Sequence, residues 1–243
     1  LITIMYANNE IGTIQPIEEI CKIAKENDVL FHTDAVQAIS NLRIDVEKLN
    51  IDLLSMSAHK IYGPKGIGVL YIKKGTKIEN FMHGGAQESK KRAGTESVQN
   101  IVGFGKAVEI LEENFNEHVK KITMLRDKLI KSIEENITDV KLNGHPINRL
   151  ANNVNFSFKY IEGESLLLYL DMEGISASSG SACTSGSLDP SHVLMAIGLK
   201  HEIAHGSLRL TLGDFNTEED IDYAVEKLID VVERLRVISP LKG

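Results

Sequence analysis

With 243 residues, 42% of them hydrophobic, the chain has enough apolar content for one large or two ordinary packed domains, which excludes a disordered polymer. Its 34 acidic against 27 basic residues give a formal charge of −7, arguing against direct nucleic-acid binding, which draws its affinity from counterion release. No apolar run reaches the length of a membrane span and no cationic, then apolar leader opens the chain, so a soluble, intracellular protein is expected.

LITIMYA at residues 1–7 reads as a core strand with no turn or cap ahead of it, as though the chain were a piece of a longer protein. Asn8, Asn9 and Glu10 close it in a turn, where Asn tolerates left-handed backbone. Pro16 opens a helix to about Asn27, with Glu18 and Glu19 near its positive end. Ile17, Ile20, Cys21 and Ala24 share one face of that helix, so Cys21 is expected to be a buried structural thiol. Strand Val29–Thr33 follows, then a polar amphipathic segment and strand Asp52–Ser57. This strand, helix, strand order implies a right-handed crossover and a parallel sheet. Gly63, Pro64, Gly66 and Gly68 turn the chain into GVLYIKK, a β-rich run expected to return antiparallel on the sheet edge.

From His83 to Thr95 the chain is polar and glycine-rich without periodicity, as a surface loop would be, and Lys90, Lys91 and Arg92 within it read as solvated. Helical patterns run from Val98 to about Asn114 and from about Glu117 to Glu135, the second lining up Val119, Ile122, Leu125, Leu129 and Ile133. The pair bridges to a second, smaller domain, giving divisions of 1–115 and 116–243. There strands Asn152–Phe158, Ile175–Ser178 and Ser207–Leu212 alternate with helices Glu164–Met172, Ser191–Ile197 and Thr217–Arg236. The last helix opens with Thr217-x-x-Asp220, a start like a capping box.

The chemistry gathers where two apolar runs end, one in Asp34 and Gln37, the other in Ser57, His59 and Lys60. In an open α/β sheet, ligands collect outside the carboxyl ends of the strands, so neighbouring strands deliver a carboxylate, an amide, a hydroxyl, an imidazole and an amine to one place. Singly, each is an ordinary turn former or solvated group. Together they suit a pyridoxal phosphate enzyme: a lysine among apolar neighbours is a neutral nucleophile for a Schiff base, and an aspartate pairs the pyridinium nitrogen. Cys183 lies in SASSGSACTSGS, a run of small residues unable to fix its conformation by its own packing, which favours a nucleophilic thiol over a structural one. The two cysteines make neither a disulfide framework nor a metal cage, and no metal site is expected. Alternation in SLRLTLG puts Ser207, Arg209 and Thr211 on one face, and on that ground alone Arg209 is merely solvated.

The stretches MYANNEIGTIQP (5–16), HTDAVQ (32–37), SMSAHKIYGPKGIG (55–68), HGGAQE (83–88), RAGTES (92–97) and SSGSACTSGS (178–187) resemble cysteine desulfurases of the NifS/IscS type, in the class V aminotransferase branch of fold-type I pyridoxal phosphate enzymes. The resemblance implies an α/β fold in which 1–115 is the C-terminal part of the cofactor-binding large domain, with its mostly parallel sheet. Residues 116–243 become a small C-terminal α/β domain carrying the cysteine on a mobile loop of the long variety. The family's N-terminal portion, with its phosphate cradle and its ring-stacking histidine, is then missing, which puts activity of this chain by itself in question.

The same resemblance implies that Lys60 holds pyridoxal 5'-phosphate, Asp34 pairs its ring nitrogen, Gln37 bonds the ring hydroxyl, and Ser57 and His59 hold its phosphate. Asn9 contacts the ring or the substrate carboxylate, Thr95 reaches the cofactor phosphate of a partner subunit, and Arg209 clamps the carboxylate. Cys183 takes sulfur from L-cysteine as a persulfide, leaving L-alanine, and passes it to an acceptor protein such as an iron–sulfur scaffold or a tRNA-thiolation enzyme. A cytoplasmic homodimer is implied, with no membrane and no direct nucleic acid among its partners. Two rivals are another class V enzyme, an aminotransferase or selenocysteine lyase, and a truncated, inactive module that only docks partners.

Overall fold

Strand β2 (Phe31–Asp34) alternates buried and half-buried residues, Phe31 and Thr33 pointing inward. The structure, a computed structural model, describes residues 1–179 and 190–240. These divide into two units, one of Leu1–Tyr6 with Gln15–Phe115, the other of Ala7–Ile14 with Asn116 onward. The stretch Ala7–Ile14 therefore groups with residues more than a hundred positions downstream.

In the first unit the sheet order is β1-β2-β3-β4, with β1 (Ile2–Met5), β2 and β3 (Leu53–Ser57) parallel and β4 (Gly68–Ile72) antiparallel on the edge. Phe31 and Leu54 pack with Ile17, Cys21 and Ala24 of helix α1 (Ile17–Glu26) and with Ala35, Ala38 and Ile51. Each large aliphatic or aromatic side chain so buried contributes about 1.5–3 kcal/mol. Cys21 is buried as expected; its Sγ lies 3.4 Å from the Asn50 carbonyl, and burial pushes its thiol up. Strand β2 starts two residues later than its sequence suggests, because the Val29 N–H donates instead to the Ala24 carbonyl at the end of α1.

Asp52 ties this unit together. Its buried carboxylate accepts the Phe31 N–H at 2.8 Å and a hydrogen bond from Lys25 of α1. Burial by itself raises its pKa, but the Lys25 ammonium and the Phe31 amide outweigh that and hold it below the usual carboxylate range. Further on, α2 (Gln87–Lys90) is one short turn in which Glu88 and Ser89 take left-handed backbone.

Helix α3 (Val98–Asn136) is continuous, where two helices are expected. The apparent break at Asn114–Asn116 is bridged locally: Asn114 Nδ2 donates to the Ile110 carbonyl, and Phe115 is buried under the Arg43 guanidinium, 4.6 Å from the ring centre.

The second unit carries an antiparallel sheet, β5-β6-β7, of Val140–Leu142, Asn153–Phe158 and Ser207–Thr211. Val154, Phe156 and Phe158 of β6 pack against Ile122, Leu125, Leu129 and Ile133 of α3, Leu166 and Leu170 of α4 (Gly163–Met172), and one face of α7 (Glu218–Ile238). Thr217 and Asp220 form the expected capping box, their side chains bonding each other's backbone N–H. Short helices α5 (His192–Ala196) and α6 (His201–His205) seal Leu194, Leu199 and Ala204 over Ile11.

Two expectations are corrected here. The strand placed over Ile175–Ser178 is reduced to a bridge, in which Ser178 and Arg209 exchange backbone hydrogen bonds at 2.6 and 3.1 Å. Strand β5 went unread, because three residues carry too little pattern and are strand only through pairing with β6. Among the described residues, no helix is long and apolar enough to cross a membrane.

Candidate active site

Because β1, β2 and β3 run parallel, their carboxyl ends lie along one edge of the first unit, and the sequence places its polar residues there. Asp34 closes β2 in register with Ser55 of β3, two residues before Ser57. Its Oδ1 accepts the Val36 N–H at 2.9 Å, an interaction that fixes the carboxylate at the strand end. Asp34 and Gln37 are both half-buried.

After Ser57 the chain makes a single 3-10 turn, Ala58–Ile61, ended by Tyr62 in left-handed backbone with φ of 62°. Ala58 and Ile61 face inward against Phe104 and Ala107 of α3, which turns His59 outward and leaves Lys60 half-buried. Ser57 Oγ and His59 Nδ1 share a hydrogen bond of 2.7 Å, so the hydroxyl and the imidazole act as one polar pair. Lys60 is next in the chain, on a turn whose buried neighbours set its direction.

A row that sequence reasoning missed runs along the same sheet face as Asp34 and Ser57. Thr3 Oγ1 is 2.6 Å from His32 Nδ1, and His32 Nε2 is 2.9 Å from Ser55 Oγ, linking three adjacent strands. The period-two alternation of His32 with Asp34 and of Ser55 with Ser57 was the signal that could have found it. Thr95 is exposed.

The other expected residues belong to the second unit. Arg209 on β7 stands in register with Asn155 of β6 and is half-buried instead of solvated. Its Nη1 donates to the Asn9 carbonyl at 3.1 Å, while its Nε is buried without a hydrogen-bond partner. An orphaned guanidinium N–H is costly unless an anion or acceptor meets it, so the donor set suits a carboxylate. Asn9 follows Asn8, whose side chain accepts the N–H groups of Glu10 and Ile11. Arg149, buried among the Ile11, His145 and Asn153 carbonyls, has its pKa lowered to about 10 by burial and then by the charge of Arg126. Cys183 lies outside the described residues.

The first-unit set fits pyridoxal phosphate by its chemistry: a fixed carboxylate for a ring nitrogen, an amide for a ring hydroxyl, a hydroxyl and imidazole pair for phosphate, and an amine for a carbonyl. The class V aminotransferase family model matches residues 1–224, and the chain belongs to that family, whose members are pyridoxal phosphate enzymes of fold type I. Over 243 residues it is 61% identical to a cysteine desulfurase IscS of Clostridium botulinum strain Hall, covering 99% of this chain and 61% of that protein. Among solved structures it resembles a NifS-like protein with a TM-score of 0.87 at 38% identity, covering 96% of this chain and 60% of the other. A structure described as SspA in complex with cysteine matches with a TM-score of 0.70 at 37% identity, over 88% of this chain and 59% of the other. The chain thus spans about three-fifths of the length of the relatives it matches.

Proposed function

We propose that this chain is part of a pyridoxal phosphate-dependent cysteine desulfurase that converts L-cysteine to L-alanine and passes the sulfur on as a persulfide. The observation that carries this reading is the set Asp34, Ser57, His59 and Lys60 at the carboxyl ends of adjacent parallel strands, Asp34 fixed by the Val36 N–H, Ser57 and His59 bonded to each other, and Lys60 on a turn anchored by buried Ala58 and Ile61. The IscS name of its relatives and the cysteine in one structural neighbour add the substrate.

Lys60 Nζ is the amine that holds the cofactor and then takes the proton from the substrate Cα. Asp34 keeps a proton on the ring nitrogen, Gln37 bonds the ring hydroxyl, and Ser57 with His59 donates to the phosphate. When bound, pyridoxal phosphate supplies the electron sink that makes loss of the Cα proton feasible. Arg209 and Asn9 anchor the substrate carboxylate. The Cys183 thiolate takes the sulfur and delivers it to an acceptor protein, such as an iron–sulfur scaffold or a tRNA-thiolation enzyme. Exposed Thr95 reaches the phosphate bound by a second subunit of a cytoplasmic homodimer.

The test uses the full-length gene product carrying this sequence. Purified with pyridoxal phosphate it absorbs in the visible, loses that band on borohydride reduction, and yields alanine from L-cysteine. Cys183→Ser keeps the band and accumulates no persulfide. A keto acid product in place of alanine, or normal sulfide release by Cys183→Ser, overturns the assignment.

A further inference from the structure

Strand β6 reads NVNFSF, and its polar residues Asn153, Asn155 and Ser157 are all buried, like the apolar ones between them. A buried amide must be hydrogen-bonded or it costs stability, so the destinations of these side chains carry information. Asn155 Nδ2 donates to the Glu10 carbonyl at 3.0 Å, and Asn153 Nδ2 donates to the same oxygen at 3.1 Å and to the Asn9 carbonyl at 3.5 Å. Behind them Asn143 Nδ2 donates to Asn155 Oδ1 at 2.8 Å and to Ser157 Oγ at 2.9 Å, which fixes the orientation of the Asn155 amide.

The Asn9 carbonyl held in this way is also the one that receives Arg209 Nη1. Glu10, 5% exposed, is tied from its other end, where its Oε2 accepts Ser191 Oγ at 2.5 Å. Gly12 closes the clamp: a Cβ there would lie 2.7 Å from Asn153 Oδ1. The main chain of Asn9 and Glu10 is therefore set by side chains of β6, and the Arg209 guanidinium docks on that main chain with one nitrogen.

We infer that Asn155 and Asn153 are positioning residues, aiming the Arg209 fork at the substrate carboxylate through the backbone carbonyls of Asn9 and Glu10. The inference rests on Arg209 being the carboxylate anchor proposed above. An apolar residue at 155 removes one of the two donors on the Glu10 carbonyl and one of the two acceptors of the Asn143 amide. The adjoining Asn9 peptide, whose carbonyl holds Arg209, then shifts, and two-point recognition of a carboxylate suffers more than any contact to the rest of the ligand.

The experiment measures, by calorimetry on the full-length protein loaded with pyridoxal phosphate, affinities for L-alanine and for L-alaninamide, which differ only in the carboxylate. The unmodified protein prefers the acid, and Arg209→Lys collapses that preference. Asn155→Leu lowers it by roughly tenfold, the loss expected for one charge-assisted hydrogen bond. Combined with Arg209→Lys it lowers it no further, because both act on one interaction. Should Asn155→Leu fail to accumulate, Asn155→Ser and Asn153→Ser carry the same comparison. Equal weakening toward both probes, or an unchanged preference in the Asn variants while Arg209→Lys loses it, overturns the positioning role and leaves the function intact. An unchanged preference in Arg209→Lys overturns the anchor itself, and the inference with it.

Discussion

At the ends of β2 and β3 the polar side chains Asp34 and Ser57 stand half-buried on one face of a sheet whose reverse is packed with Phe31 and Leu54, and His59 and Lys60 follow on the turn after β3. On β6, by contrast, Asn153, Asn155 and Ser157 are themselves buried, and their side chains bond main-chain carbonyls and the Asn143 amide. The first arrangement presents side chains directly; the second presents Arg209 through backbone held by other residues. A site of the first kind fails at single side chains. One of the second kind fails wherever the supporting backbone is disturbed, even by residues that touch no ligand.

Substitutions of graded severity can break that contrast. Lys60→Ala has the largest expected effect, complete loss of the borohydride-sensitive absorbance with no change in the far-ultraviolet circular dichroism spectrum. A persisting band would show that another amine holds the cofactor. Gly12→Ala comes next, since φ of +72° and contact with Asn153 together cost about 3 kcal/mol. Urea titration measures it, and a wild-type midpoint would mean that the clamp yields to a methyl group at no cost.

Asp52→Asn probes the first unit away from its chemistry. Loss of the Lys25 and Phe31 interactions costs about 2 kcal/mol at neutral pH. Because the folded pKa of Asp52 lies below its unfolded value, its contribution is fully present above the ordinary aspartate range. It fades as pH falls through that range and is gone below the lowered folded value. Paired denaturation curves from neutral to acid should therefore converge, and a gap independent of pH would refute the charge argument. Thr217→Ala is the mildest, about 1 kcal/mol for one capping box, read as a small drop in melting temperature.

The first kind of site is the kind that sequence displays. Asp34, Ser57, His59 and Lys60 sit within six residues or fewer of a strand end, so local pattern places them, and the parallel pairing of β1, β2 and β3 agrees with the strand, helix, strand order. The second kind is hidden for a physical reason. Alternation in NVNFSF predicts a strand with a polar face, and such a face ordinarily meets water. Only the return of residues 7–14 onto it makes it a buried network, and nothing local to β6 announces that. The same limit explains Arg209, solvated by pattern and half-buried in fact, and β5, a strand by virtue of its partner. The continuity of α3 is hidden for the opposite reason: the apolar pattern lapses between Asn114 and Glu117, while the Asn114 side chain bonds the Ile110 carbonyl and the helix runs on.

The clamp on residues 7–14 also sets an order of events in time. Asn9 and Arg209 stand 200 positions apart, Glu10 and Ser191 stand 181 apart, and Glu10 and Asn155 stand 145 apart. At synthesis rates of about 5–20 residues per second, roughly 10 to 40 seconds separate the emergence of Asn9 from that of Arg209. Until Arg209 emerges the Asn9 carbonyl lacks its guanidinium partner, and closing so long a loop carries an entropic cost that only the finished sheet offsets. The hydrogen bond from Arg209 to Asn9 is then among the last to form. In pulse-labelling hydrogen exchange during refolding, the amides of Ile14 and Leu150, which donate to the Asn148 and Gly12 carbonyls, should gain protection after those of β2 and β3.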